Sequence, residues 1–349
     1  MPRSFGLRAA HHTGLAAWLF ALASNAVFYF LRRSSAPAAP ARQPADASAP
    51  AAPTPSSRDP LSSRRRFLAG GAKLFCLSGG ALLAYGGLIA PRWFGVTRRT
   101  IPIRDLPPGL DGLRIVQLTD IHHGPWLSRR YVRDVIDADN ALDADVICLT
   151  GDYVHHSAEY IEPVVAELAR LQAKCGVVAI LGNHDWWEGV EPMRRAFDRA
   201  GIPLIDNGRR ILTPERRLVS SGDAGLALAA VGDLWEDKLD YHAALAGLPA
   251  AMPRLLLSHN PDVAEEPAFL AAGHRVDLML SGHTHGGQIV LPFLGAPDTS
   301  SRHGQKYAQG LVQGPVCPVF ICRGIGVSGF PIRLGATPEI AVLELRTSA

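Results

Sequence analysis

The sequence predicts an α/β protein whose sheet layers are covered by helices and preceded by N-terminal hydrophobic segments. Three observations predict it. From about Thr100 onward, short apolar runs alternate with helical stretches. Those runs end in polar turns, several containing glycine. The first hundred residues lack this rhythm and read instead as membrane-type and linker sequence. Hydrophobic residues make up 47% of the 349 residues, ample for a core. The remainder, 100–346, suits one domain of about 250 residues.

The elements follow in order. Leu15–Leu31 is a nearly uncharged apolar run closed by Arg32 and Arg33. It sits at the lower length limit of a membrane span, so 1–33 is expected to hold one. Residues 34–62 are rich in Ala, Pro and Ser and cannot bury enough surface to fold, so they read as a linker. Ser63-Arg64-Arg65-Arg66-Phe67-Leu68 then leads a Gly/Ala/Leu-rich stretch to Ala90. Over 63–95 this resembles a twin-arginine export signal kept as an anchor, since no A-x-A site precedes Pro91. A chain start near Leu61 would bring that arginine pair close to the N-terminus. Residues 32–66 carry seven arginines against Asp46 and Asp59. The positive-inside rule makes that loop cytoplasmic and puts everything beyond Pro91 outside, on a bacterial inner membrane. Membrane and export machinery are therefore expected partners.

Six strands are expected beyond: Leu113–Leu118, Asp145–Leu149, Val177–Leu181, Arg254–Leu257, Asp277–Leu280 and Val319–Cys322. Ser128–Ala141 and Tyr160–Gln172 read as helices between them. The net charge of +3 is too small to argue for nucleic acid, and no basic groove with interleaved aromatics stands out. No nucleic-acid partner is expected. Five cysteines without CxxC spacing form neither a disulfide framework nor a zinc ribbon. Cys317 and Cys322 could pair in an oxidising compartment.

Five strand ends in succession deliver metal-type ligands. Asp120 and His122 lie two apart, so on an extended backbone they face one way while His123 faces the other. Asp152 follows Thr150-Gly151. Gly182-Asn183-His184-Asp185 follows the third run, Ser258-His259 the fourth, and Gly282-His283-Thr284-His285 the fifth. Strand C-terminal ends are where open α/β sheets build sites.

This series, D-x-H, GD, GNH[DE], H and GHxH, resembles the calcineurin-like metallophosphoesterase superfamily. "GHTHGGQI", "KYAQGL", "RGIG", "PIR" and "PEI" further resemble its bacterial membrane-associated or twin-arginine-exported branch, which includes phosphodiesterases and UDP-2,3-diacylglucosamine pyrophosphatases. The resemblance covers about residues 100–346 and implies a four-layer αββα sandwich with two divalent metal ions. Asp120, His122, Asp152 and His285 would hold one ion. Asp152, Asn183, His259 and His283 would hold the other. Two divalent cations against two carboxylates leave a positive centre that attracts phosphate and acidifies water. Manganese is favoured, with iron, zinc or magnesium as alternatives. His184 would be the catalytic residue that is not a ligand, with Asp185 orienting it.

The implied substrate is a phosphorylated lipid or a small phosphodiester. Trp186, Trp187 and Trp235 either pack in the core or wall a lipid-like substrate. Arg302, Lys306 and Arg323 either meet a second phosphate or carboxylate, or are solvated. Gly324–Gly329 matches GxGxxG, but Pro331 blocks the helix a dinucleotide site needs. Other readings are a protein phosphatase, a nuclease or a non-catalytic metal-binding module. Arg and Glu would flank the third motif in a serine/threonine phosphatase, whereas Leu181 and Asp185 stand here.

Overall fold

The computed structural model describes residues 60–348, with side chains from Leu68 onward. Leu15–Leu31 and most of the expected linker lie outside these residues. So do the side chains of Arg64 and Arg65. The chain divides after Ala84 into two units. Helix α1 (Pro60–Ala84) belongs to the first, and its Leu74, Phe75 and Leu77 are exposed. Leu68–Arg92 is long and apolar enough to cross a membrane by length and composition.

The second unit opens its α/β pattern at β1 (Gly95–Arg104), ahead of the expected start at Thr100. Then come β2 (Leu113–Leu118), α2 (Arg129–Asn140), β3 (Val146–Thr150), α3 (Ile161–Leu168) and β4 (Gly176–Ile180). Next are α4 (Asn183–Arg199), β5 (Gly208–Leu212), β6 (Leu218–Val219) and β7 (Leu226–Ala230). They are followed by α5 (Tyr241–Leu245), β8 (Arg254–Leu257), α6 (Pro267–Ala272) and β9 (Leu278–Ser281). Strands β10 (Gly310–Gln313), β11 (Pro318–Ile321) and β12 (Glu339–Ser348) complete it. Strands β2 and β8 have the expected bounds, and the other four expected strands are displaced by one residue. Helix α3 stops at Leu168, short of the expected Gln172.

One sheet has the order β1-β12-β2-β3-β4, the other β10-β11-β9-β8-β7-β5-β6. Their central strands are parallel: β2, β3 and β4 in the first, β7, β8, β9 and β11 in the second. Period-2 alternation sends each strand's residues to two cores. Val146 and Cys148 of β3 join Leu255, Leu257, Leu278 and Leu280 in a core between the sheets. Ile147 and Leu149 face the other way, onto α2, α3 and α4. Leu256 and Met279 likewise face Tyr241 of α5 and Phe269 of α6. Helices, sheet, sheet, helices: this is a four-layer αββα sandwich. Cys317 and Cys322, at opposite ends of β11, are buried free thiols.

Helices α2 and α3 are tied by one carboxylate. Glu167 is only 1% exposed and meets Arg129 Nε at 2.6 Å, Arg133 Nη2 at 2.8 Å and Arg170 Nη1 at 2.9 Å. The hydrogen bond from Arg133 leads the effects that hold its pKa down at about 2. A depressed carboxylate stabilises the fold above its unfolded pKa and ceases to as pH falls through the folded one. Glu167→Gln should therefore lower stability by about 1.5–3 kcal/mol at pH 7, the scale of hydrogen bonds to charged groups. The gap should close as the pH drops from about 4.5 toward 2. Thermal melts of both proteins across pH check this, and equal melting temperatures at pH 7 would refute it.

Candidate metal centre

The C-terminal ends of the parallel strands in both sheets converge on one spot. Strand β2 delivers Asp120 and His122, β3 delivers Asp152, and β4 leads into Asn183 at the first residue of α4. From the other sheet β8 delivers His259, and β9 delivers His283 and His285. Hydrogen bonds cross between the sheets. The buried Gln117 amide donates to the Ser281 carbonyl at 3.0 Å and to Thr150 Oγ1 at 2.9 Å. His259 Nδ1 lies 2.8 Å from the Thr150 carbonyl, so it carries the proton and leaves Nε2 as a donor to an ion. The His283 backbone N–H donates to both Asp120 oxygens at 3.0 Å.

Beside a cluster of His122, His155 and His184, two donor sets that share no residue result, each with its atoms close together. One is Asp120, His122 and His285; the other is Asp152, His259 and His283. His122 Nε2 and His285 Nε2 are 3.0 Å apart, and His259 Nε2 and His283 Nδ1 are 3.2 Å apart. Asp152 Oδ2 stands between the sets, 3.4 Å from His122 Nε2 and 3.2 Å from His259 Nε2. Asn183 is buried, and its Oδ1 has no hydrogen-bond partner among the described residues.

This clustering comes at a conformational cost. Asp120, His122, Asp152, His283 and His285 all have φ between 46° and 69°. That left-handed region is uncommon for residues bearing a Cβ. The surrounding ladder holds them there: Asp120 N–H donates to Gly151 O at 2.9 Å and His122 N–H to Asp152 O at 3.0 Å. Glycines supply the remaining room. A Cβ on Gly151 would lie 2.6 Å from the Gly182 nitrogen and 2.8 Å from His259 Nδ1. One on Gly324 would lie 2.5 Å from Asp120 Cβ, so this GxGxxG stretch serves close approach to a carboxylate.

The donor chemistry fits a cation. Burial keeps His122 and His285 well below the usual imidazole value and pushes His283 down to about 3, so their lone pairs are available. Burial opposes charge on His259, but the Asp152 carboxylate more than offsets it and raises its pKa to about 10. Ligand atoms about 2.0–2.2 Å from a shared ion sit roughly 3 Å from one another, the spacing these nitrogens and oxygens adopt.

A calcineurin-like phosphoesterase family model matches residues 113–287. The chain belongs to that family. It is a hydrolase of phosphoric esters, from a family that uses divalent metals. The uncharacterized metallophosphoesterase YkuE of Bacillus subtilis (strain 168) is 33% identical over 299 residues, covering 82% of this chain and 98% of that protein. Phosphodiesterase YaeI of Escherichia coli (strain K12) is 30% identical over 288 residues, covering 81% of this chain and 99% of its own. The transmembrane protein with metallophosphoesterase domain of Danio rerio is 30% identical over 281 residues, 76% of this chain and 61% of that one.

Within this phosphoesterase, some expected roles change. Asp185 does not orient His184. Its carboxylate accepts from the backbone N–H groups of Asp152 (2.8 Å), Tyr153 (2.8 Å) and Gly182 (2.9 Å), tying the Asp152 turn to the start of α4. His184 instead contacts two residues that sequence spacing did not single out. Its Nδ1 is 3.2 Å from His155 Nδ1, and its Nε2 is 3.4 Å from Ser328 Oγ. Arg333 is fully buried, donates to the carbonyls of Arg323, Gly326, His285 and Ala336, and lies 3.1 Å from His285 Nδ1. Arg302, Lys306 and Arg323 each pair with a glutamate, respectively Glu266, Glu265 and Glu339. His123 packs on Tyr160, away from the donor sets. Trp186 packs against the helix-side core, whereas Trp187 and Trp235 are partly exposed, stack on each other and meet His184 and His283 edge-on.

Gly151→Ala should cost about 1–3 kcal/mol through its φ of 95° alone. By pressing on Gly182 and His259 it should also reduce bound metal. Melting temperature and metal content after purification measure both effects. Wild-type values in each would show that the turn has room for a Cβ.

Proposed function

We propose that this phosphoesterase is a binuclear metal-dependent hydrolase of a phosphodiester or pyrophosphate near a membrane. The observation supporting two ions is the position of Asp152 Oδ2, within 3.4 Å of a donor nitrogen from each set. Asp120, His122 and His285 would hold one ion, and Asn183, His259 and His283 the other, with Asp152 shared. Two divalent cations, manganese favoured over iron, zinc or magnesium, would neutralise the phosphate charge and supply an acidified water. Asn183 and His184 begin α4, so the helix's positive end adds to that attraction. His184 would hold a proton for the leaving oxygen, positioned by His155 and Ser328 rather than by Asp185. Asp185 would keep the Asp152 turn in its left-handed conformation.

Two substitutions separate ligand from catalyst. Asp152→Ala should abolish turnover and strip metal, because one side chain serves both sets. His184→Ala should lower kcat about 10²–10⁴-fold with metal content nearly intact. Metal analysis alongside turnover of a chromogenic bis-ester reads both. Full metal in the first variant, or none in the second, would exchange the assigned roles.

The substrate would be a phosphorylated lipid or glycolipid head group, the exposed tryptophans beside His184 and His283 supplying an apolar wall. UDP-2,3-diacylglucosamine is a candidate, but as a lipid made on the cytoplasmic side it conflicts with an outward-facing site. The arginine asymmetry of residues 32–66 favours the outward placement, on a bacterial inner membrane, with export dependent on Arg64 and Arg65. A reporter active only outside the cytoplasm, fused after Ala349, should be active and should lose activity when both arginines become Lys. A silent fusion to the unaltered chain would reverse the orientation.

A further inference from the structure

Four separate segments of the catalytic unit form one apolar rim beside the metal centre. The first is Tyr85–Phe94, where the apolar stretch Leu68–Arg92 ends. Gly86 packs against Leu334 and Ile332, and its carbonyl accepts from the Arg333 N–H at 2.9 Å. The second segment is thus 330–334. The third, 288–295, pairs with it: Val290 N–H donates to Leu334 O at 2.7 Å, and Leu291 and Gly295 close a hairpin tip. The fourth carries Trp126, whose carbonyl accepts from Arg92 Nη2 at 3.2 Å.

These segments leave large apolar side chains in the open. Phe293 is 107% exposed, Leu294 78%, Leu88 69% and Trp93 67%, with Trp126 and Phe330 also exposed. Scattered exposed apolar residues are ordinary, whereas several on adjoining segments mark an interaction surface. The rim reaches the chemistry. Gln288 exchanges hydrogen bonds with Ser328 at 2.6 and 2.9 Å, and Ser328 contacts His184.

We propose that this rim, centred on Phe293 and Leu294, dips into a phospholipid bilayer and presents the metal centre at head-group level. Two observations favour lipid as the occupant. The rim is continuous along the chain with a stretch long and apolar enough to cross a membrane. Segments 85–94, 288–295 and 330–334 carry no acidic residue: Arg92 is their exposed charge, Arg333 being buried, and the exposed Arg130 lies four residues beyond Trp126. Exposed aromatic and aliphatic groups flanked by arginine alone suit an anionic interface. The docking stands on the rim itself, whereas its consequence for substrate choice rests on the reading above.

The test uses the full chain in vesicles of phosphatidylethanolamine and phosphatidylglycerol, with and without bromine on the acyl chains. Phe293→Trp adds one indole at the exposed tip, and its emission is taken as the difference from the unaltered protein. Side chains seated about 5–10 Å into the head-group boundary meet acyl bromines, so the added emission should shift blue and fall below about half. Emission typical of water and insensitive to bromine would overturn the proposal. So would a blue shift that ignores bromine but grows with protein concentration, the sign of a second copy covering the rim.

A second measurement uses Phe293→Asp/Leu294→Asp, at positions too exposed to disturb the core. Turnover of a vesicle-embedded phosphodiester lipid should fall at least about 10-fold, while a water-soluble bis-ester stays within about 2-fold. Equal loss on both substrates, or on neither, counts against docking. If the unaltered chain turned over neither ester, the functional reading would fail, and the quenching experiment would still decide the docking.

Discussion

Two buried carboxylates, Asp120 and Asp152, govern this molecule. Neither is exposed, and they lie among imidazoles that burial and mutual repulsion keep neutral or set in contention for protons. Such a cluster persists in a fold only if cations balance it or the backbone forces it together. Here the backbone brings the groups together, and the proposed cations would balance them. Two sheets are packed face to face so that the C-terminal ends of their parallel strands meet, each contributing to both donor sets.

The forcing is visible in where strain collects. Five donor residues occupy left-handed backbone; the Asp120 and His122 turn is anchored by the end of β3, the Asp152 turn by Asp185, and His285 by Arg333. Gln117, Asp185 and Arg333 are the cross-links. Gln117 joins the sheets at the level of the site, Asp185 ties the Asp152 turn to α4, and Arg333 gathers the loop carbonyls around His285. Donors bonded in this way cannot slip by a register without being left buried and unpaired. The site is therefore rigid before any substrate reaches it, which is what electrostatic catalysis requires.

Trp187 and Trp235 stack beside His184 and His283. On another side the loops that carry Ser328 and Gln288 run directly into the apolar rim. Catalytic position and surface character are thus set by the same short segments, 286–295 and 323–334. These are also the segments that Arg333 and the Gly86–Leu334 contact hold in place.

By itself the sequence determined the ligand chemistry and most of the central strands. A metal's need for Asp and His is local, so Asp120-x-His122 and His283-x-His285 are readable after an apolar run, although both pairs stand on left-handed backbone past their strands rather than on the extended backbone the spacing suggested. The alternation Val146, Cys148 against Ile147, Leu149 likewise announces two cores. Tertiary structure alone decided the rest. Strand β1 carries Arg98, Arg99, Thr100 and Pro102 and reads as a poor strand, yet it pairs parallel with β12, roughly 240 positions away. Helix α4 is masked by Gly189 and Pro192, because its break at Gly189 defeats a single helical period. His155 meets His184, and Asp185 leaves it, because side-chain partners across a strand end depend on how two turns stack. The apolar rim joins residues from four segments that no spacing rule relates. Local patterns name the groups a site needs, whereas long-range packing chooses which of them touch.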